Sequence, residues 1–256
     1  MGSYVYAIGR IELRFPRPSV EREFAQVTGR AESVDLTDRK LVQKVLSDRQ
    51  NRYLARQLCW VFTVGGFDTY ILSPRDPGDV ELLIDSLRPA PSNADMDVVI
   101  GVQGPVATPN MCNGLVVPIV LFDQIYSFDR KSLAEALVKE TPRLEKVPQK
   151  EVEQVFDAIM QVADNAGATD EHRALNYLAV RYPGIYVTAA EALSRNSSLT
   201  AIRVRPSPLS GVHKLLDVIF SYTNRNTDVT EKFFTRIDVT DEFPFLVSKL
   251  SPYYDR

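Results

Sequence analysis

The chain has 256 residues, 45% of them hydrophobic and 25% charged, with a formal net charge of −3. That length buries a sizeable core, as one large domain or two small ones. The charge excludes a global basic field that would recruit nucleic acid or an anionic membrane, so neither is an expected partner.

Met1-Gly2-Ser3 reads as a cloning remnant, and MGSYVYAIGR lacks the charged start and apolar core of a secretory signal. Tyr4 to Phe15 is rich in β-formers and alternates loosely, which predicts a strand ended by Pro16 and Pro18. Ser19 then caps a helix with Val20, Phe24 and Val27 on one face. Thr37 caps the next, with Leu41, Val42 and Val45 facing inward. In LCWVFTVGGFDTYILSP two β-rich runs flank Gly65-Gly66, the signature of a hairpin with a primed turn. Asp76-Pro77 opens a helix through Leu87, buried on Val80, Leu83, Ile84 and Leu87. MDVVIGV and GLVVPIVLFDQIYSF read as buried strands covered on both faces, with helix left open for the second. The longest apolar run, Gly114 to Phe122, is too short to cross a bilayer as a helix.

DRKSLAEALVKE is a surface helix, and the polar Thr141 to Gln149, with two prolines, is the linker. Helices follow over Lys150–Asp164, Asp170–Tyr182 and Gly184–Arg195. LTAIRVRP, HKLLDVIFSYT and EKFFTRIDVT then alternate as an antiparallel three-stranded meander, closed by a short helix from Asp241 to Leu250. The fold class is α+β: a mixed sheet with covering helices, a helical segment, then the meander. It forms a single domain over 4–256, with lobes at 4–146 and 147–256 as the alternative.

Candidate chemistry is sparse. The soft metal ligands are Cys59, Cys112, His172 and His213, and no C-x-x-C or H-E-x-x-H spacing joins them. Two cysteines argue against a disulfide framework and fit a reducing, cytoplasmic setting. Cys59, beside Trp60, reads as a buried inert thiol. Cys112 lies in the turn NMCNG, and with His172 it forms the candidate zinc or thiol centre, with Asp170 or Asn176 orienting the ring. Outside that alternative no cofactor is expected. GVQGP follows a strand without leading into a helix and reads as a loop, so no phosphate cradle is present.

Peptide binding is the more attractive reading. LTAIRVRP starts the meander, and an edge strand there offers main-chain groups to an extended peptide. Arg203 and Arg205 would share one face; charge on an edge also blocks unwanted pairing, and both readings stand. The segment DNAGATDEHRALNYLAVRYP combines turn, cap and helix. Gly167 ends one helix, Thr169 caps the next, and Asp170 and Glu171 occupy its first turn, where the dipole favours acids. Leu175, Leu178, Ala179 and Tyr182 form its buried stripe. His172 is left at the stripe's boundary, and Asn176 and Tyr177 join Arg203 and Arg205 as binding candidates.

Together, YVYAIGRIELRFP, RQNRYLARQLCWVF, MCNGLVVPIVLFDQIYSFDR, the DNAGATDEHRALNYLAVRYP segment and the ending FSYTNRNTDVTEKFFTRIDVTDEFPFLVSKLSPYYDR resemble the C-terminal domain of the cyanobactin subtilisin-like proteins of PatG and PatA type, more closely PatG. The resemblance covers nearly the whole chain after Ser3. It implies a cyanobacterial pathway making ribosomal cyclic peptides such as the patellamides. In that pathway the protease domain of the PatG type cleaves and macrocyclises the precursor, while that of the PatA type removes its leader. No catalytic residues carry over, because H-G-T and G-T-S-M are missing and the domain's own function is not established. The implied role is non-catalytic: self-association as a homodimer, docking to pathway enzymes, or holding precursor peptide.

Overall fold

The computed structural model describes residues 3–29, 36, 38–88, 92, 95–140, 149–162 and 165–254. The chain divides into two compact units, 1–128 and 129–256. Strands and helices are both abundant, and the fold is α+β.

In the first unit, β1 (Tyr4–Arg14), β2 (Cys59–Val64), β3 (Phe67–Pro74), β4 (Asp95–Val106) and β5 (Pro118–Asp129) close into a barrel in the order β1-β2-β3-β5-β4. β3 and β5 run parallel, while β1 runs antiparallel to both of its neighbours. This order, with a helix between β3 and β4, is that of a five-stranded Greek-key barrel of OB type. Closure depends on β1 changing partners part-way along. Tyr4 to Gly9 pair with β4, and Arg10 to Arg14 pair with β2. Gly9 sits at the hand-over, where a Cβ would collide with the Thr63 carbonyl. Val5, Tyr6, Ala7 and Ile8 are all buried, so this part of β1 is covered on both faces.

The primed hairpin forms as expected between β2 and β3, with φ of 58° at Gly65 and 85° at Gly66. The first helix, α1 (Pro18–Val27), starts with Pro18 in its first turn rather than with a Ser19 cap. Thr37 lies outside the described residues; α2 (Arg39–Ser47) is capped by Asp38, whose carboxylate accepts from the Leu41 amide at 3.2 Å. The short α3 (Arg52–Gln57) follows. Asp76-Pro77 opens a 3-10 turn that runs into α4 (Val80–Asp85), and Leu87 beyond it is buried. GVQGP is not a loop. It lies inside β4, where a Cβ on Gly101 would collide with the Leu121 carbonyl of β5. Glycine there permits close backbone approach rather than a phosphate cradle.

The second unit opens with α5 (Arg130–Glu140), α6 (Gln149–Val162), α7 (Asp170–Arg181) and α8 (Gly184–Ser194). Apart from Gln149, the expected linker lies outside the described residues. The helices lead into an antiparallel sheet of four strands in sequential order: β6 (Ser197–Pro206), β7 (Leu215–Asn224), β8 (Thr230–Asp238) and β9 (Phe245–Pro252). α7 packs against β7, and α8 against β6 and β9. Leu216, Val218, Phe220 and Tyr222 alternate along β7 and are all buried.

The meander therefore has a fourth strand where a C-terminal helix was expected. The stretch after Pro244 has period two, not 3.6: Phe245, Val247 and Lys249 are exposed, while Leu246, Ser248 and Leu250 are half-buried. Its main chain is held from two sides. The Leu250 amide donates to the Tyr182 hydroxyl at 2.9 Å, and the Ser248 carbonyl accepts from Thr235 Oγ1 at 2.6 Å.

Candidate functional site

The polar segment that opens α7 is built around a residue the sequence did not single out. Gly167 is left-handed at φ 69°, and Thr169 caps α7 by accepting from the His172 amide at 3.2 Å. The cap fixes the helix start, and Arg173 in its first full turn is buried to 1% exposure. Its guanidinium donates to Asp170 Oδ1 at 3.0 Å, to the Val239 carbonyl at 2.9 Å, to Glu242 O at 3.2 Å, and also to Asp241 O. Asp170 Oδ2 in turn accepts from Lys214 Nζ at 3.0 Å. Arg173 thus pins the connection between β8 and β9 to α7. A charged side chain close to an apolar helical stripe, three residues after an acid, was the only signal in the sequence.

The other candidates of this segment divide between fold and surface. Asn176 is completely buried and exchanges amide hydrogen bonds with Asn165, at 3.1 and 3.2 Å, so its amide is engaged within the fold. Tyr177 is half-buried on the same helix. His172 is half-buried, and its Nδ1 has no hydrogen-bond partner among the described residues. Burial lowers the imidazole below its ordinary value of 6.5, against a smaller opposing pull from Glu171. Folding therefore favours neutral His172. Its contribution is present above the unfolded value and is lost as pH falls through the lowered one. We expect urea midpoints measured at about pH 7.5 and about pH 5 to differ less in His172→Gln than in the parent chain. Equal differences in the two proteins would refute this.

The two cysteines correct the sequence reading most sharply. They are disulfide-bonded to each other, with Cα atoms 5.8 Å apart. Cys59 starts β2, and Cys112 lies in the connection from β4 to β5. Both are buried in an apolar cluster with Val61, Ile71, Ala107 and Ile119. The bond staples that connection to the barrel wall. Cys112 therefore has Cys59 as its partner rather than His172, which belongs to the second unit. Among the described residues no three His, Cys, Asp or Glu side chains are grouped to hold a metal. No helix among them is long and apolar enough to cross a membrane.

The arginine pair lies where the alternation placed it. β6 is an edge strand, hydrogen-bonded to β7 on one side. Arg203 stands opposite Ile219, and Arg205 opposite Asp217; both arginines are exposed on one face of the sheet. Asp217 is buried there. It accepts from Arg236 Nε at 2.7 Å and lies 4.0 Å from Arg205. Arg205 also lies over the Tyr253 ring, 5.3 Å from its centroid, and Tyr253 meets Phe234 edge to face at 5.8 Å. Arg203 has no ion-pair partner among the described residues. One buried carboxylate thus faces two arginines directly, and this part of the face keeps a positive excess.

Residues 143–253 match the family model described as PatG C-terminal. Over that segment, somewhat less than half of its length, the chain is similar to the PatG C-terminal family. The PatG likeness extends beyond that segment at the level of fold. A solved structure described as "PatG Domain of Unknown Function" superposes with a TM-score of 0.78 over 99% of this chain and 99% of that one, at 20% sequence identity. No curated protein sequence matches the chain. The PatG segment contains α7 with Arg173, the edge strand with Arg203 and Arg205, and the whole four-stranded sheet. The cysteine pair lies outside it.

Proposed function

We propose that this chain is a non-catalytic accessory domain of a cyanobactin maturation enzyme, and that it docks an extended segment of precursor peptide or of a pathway enzyme along β6. The observation that carries this reading is the open edge of β6 beside the exposed, positively charged Arg203 and Arg205. An added strand gains main-chain hydrogen bonds, and the arginines favour acidic side chains in it. The alternative, a thiol or metal centre on Cys112 and His172, loses its thiol to the bond with Cys59.

Titrating labelled precursor peptide, with and without its leader, tests the docking reading. Saturable binding is expected, weakened at least about tenfold in the double variant Arg203→Glu, Arg205→Glu, because two attractions become repulsions. Absence of saturable binding up to millimolar peptide would overturn it.

A further inference from the structure

β6 begins beside a small, mainly apolar cavity. Val155 and Ala158 of α6, Ala189 and Leu193 of α8, and Leu199 of β6 line a space of about 160 Å³, together with the polar Gln154, Ser197 and Ser198 and the exposed Arg225. This is below the ~300–1,000 Å³ of a site for a drug-sized molecule. It is close to the ~150 Å³ that holds a benzene-sized group, so it suits one apolar side chain. Arg225 is held in place through its main chain, its amide donating to Asn196 O at 3.0 Å. Its guanidinium has no partner among the described residues. A mainly apolar hollow with an exposed cation in its lining, next to the start of an edge strand, suits a carboxylate attached to an apolar group.

We propose that the cavity seats the C-terminal residue of an extended peptide added antiparallel to β6, its apolar side chain in the hollow and its terminal carboxylate on Arg225. The proposal rests on the edge-docking reading above and names its ligand. Direction follows from placement. The cavity lies at the Ser197 end of β6, so an antiparallel strand reaches it with its C-terminus. Arg203 and Arg205 lie further along the same strand, roughly 13 to 20 Å from Leu199 at about 3.3 Å per residue. Acidic side chains a few residues before the peptide's end meet them. Main-chain bonds to the edge supply affinity, while cavity and cations select the sequence.

The test is fluorescence polarisation of a labelled octapeptide, acidic in its first half and apolar in its second, ending in a free leucine and titrated with the full chain. The same peptide as its C-terminal amide is the second arm, and octanoate is a competitor. Amidation and Arg225→Gln are each expected to weaken binding at least about tenfold, as loss of a charge-assisted hydrogen bond does. Ala158→Phe, which fills the hollow, is expected to abolish the preference for the free acid, with circular dichroism confirming that both variants fold. Equal binding of acid and amide, lost in Arg203→Glu, overturns the cavity's role and leaves edge docking standing. No saturable binding of either peptide up to millimolar overturns both. Displacement by octanoate at the peptide's own concentration overturns the peptide in favour of a fatty acid.

Discussion

Reduction of the Cys59–Cys112 bond is expected to destabilise the first unit by about 4 kcal/mol at 25 °C. The two cysteines are 53 residues apart in sequence. Chain-entropy estimates run from about 3 kcal/mol for a 15-residue loop to about 4.7 for a 100-residue loop, which places this one between them. The staple joins the wall strand β2 to the β4–β5 connection, so its loss acts on barrel closure as well as on the unfolded chain. Trp60, the chain's one tryptophan, lies next to Cys59 and is buried, which makes it a local reporter of barrel unfolding. The measurement is the urea midpoint by Trp60 fluorescence, with and without reductant, on the same protein. Coincident curves would show that the bond contributes nothing. Cys59→Ala with Cys112→Ala should reproduce the reduced protein, with a further loss from the space the sulfurs vacate in the apolar cluster.

Arg173→Met is expected to cost the second unit about 3–5 kcal/mol, the usual effect of removing one partner from a buried charged network. Three carbonyls, of Val239, Asp241 and Glu242, lose the donor they share. Hydrogen bonds to a charged group are worth about 1.5–3 kcal/mol each but do not add when one side chain makes them all. Asp170 contributes little of the cost, because it is one-third exposed and keeps Lys214. Arg173→Lys should recover only part of the loss, since an ammonium cannot span the fan of carbonyls that a planar guanidinium reaches. Urea unfolding followed by far-UV circular dichroism measures the cost. Hydrogen exchange at residues 239–242 shows where it falls, with protection lost there first. A cost below about 1 kcal/mol for the Met variant would contradict the pinning role, being the range of an exposed pair.

The two effects bear on docking differently. Arg173 anchors the connection into β9 and so supports the four-stranded sheet whose other edge is β6. The disulfide belongs to a unit outside the PatG segment. Reductant should therefore change first-unit stability while leaving β6 and its arginines in place.

The features legible in the sequence were local ones. Gly65-Gly66 announced its hairpin because two consecutive positive φ angles favour residues without Cβ. Thr169 announced the start of α7 because capping is a matter of a few neighbouring residues. The alternation in LTAIRVRP placed Arg203 and Arg205 on one face because strand side chains repeat every two residues. Tertiary structure alone decided which distant pieces meet. β1 reads as one strand, yet it serves β4 with one half and β2 with the other, and nothing in its pattern marks the change except Gly9. Cys59 and Cys112 looked unrelated because a separation of 53 residues carries no information on proximity. Arg173 drew no notice in the sequence because its acceptors are main-chain carbonyls, which every residue has and no sequence pattern advertises. Periodicity and caps fix local dihedrals; barrel closure, the cysteine staple and the arginine pin depend on which buried surfaces face each other, and that is settled only when the whole chain has folded.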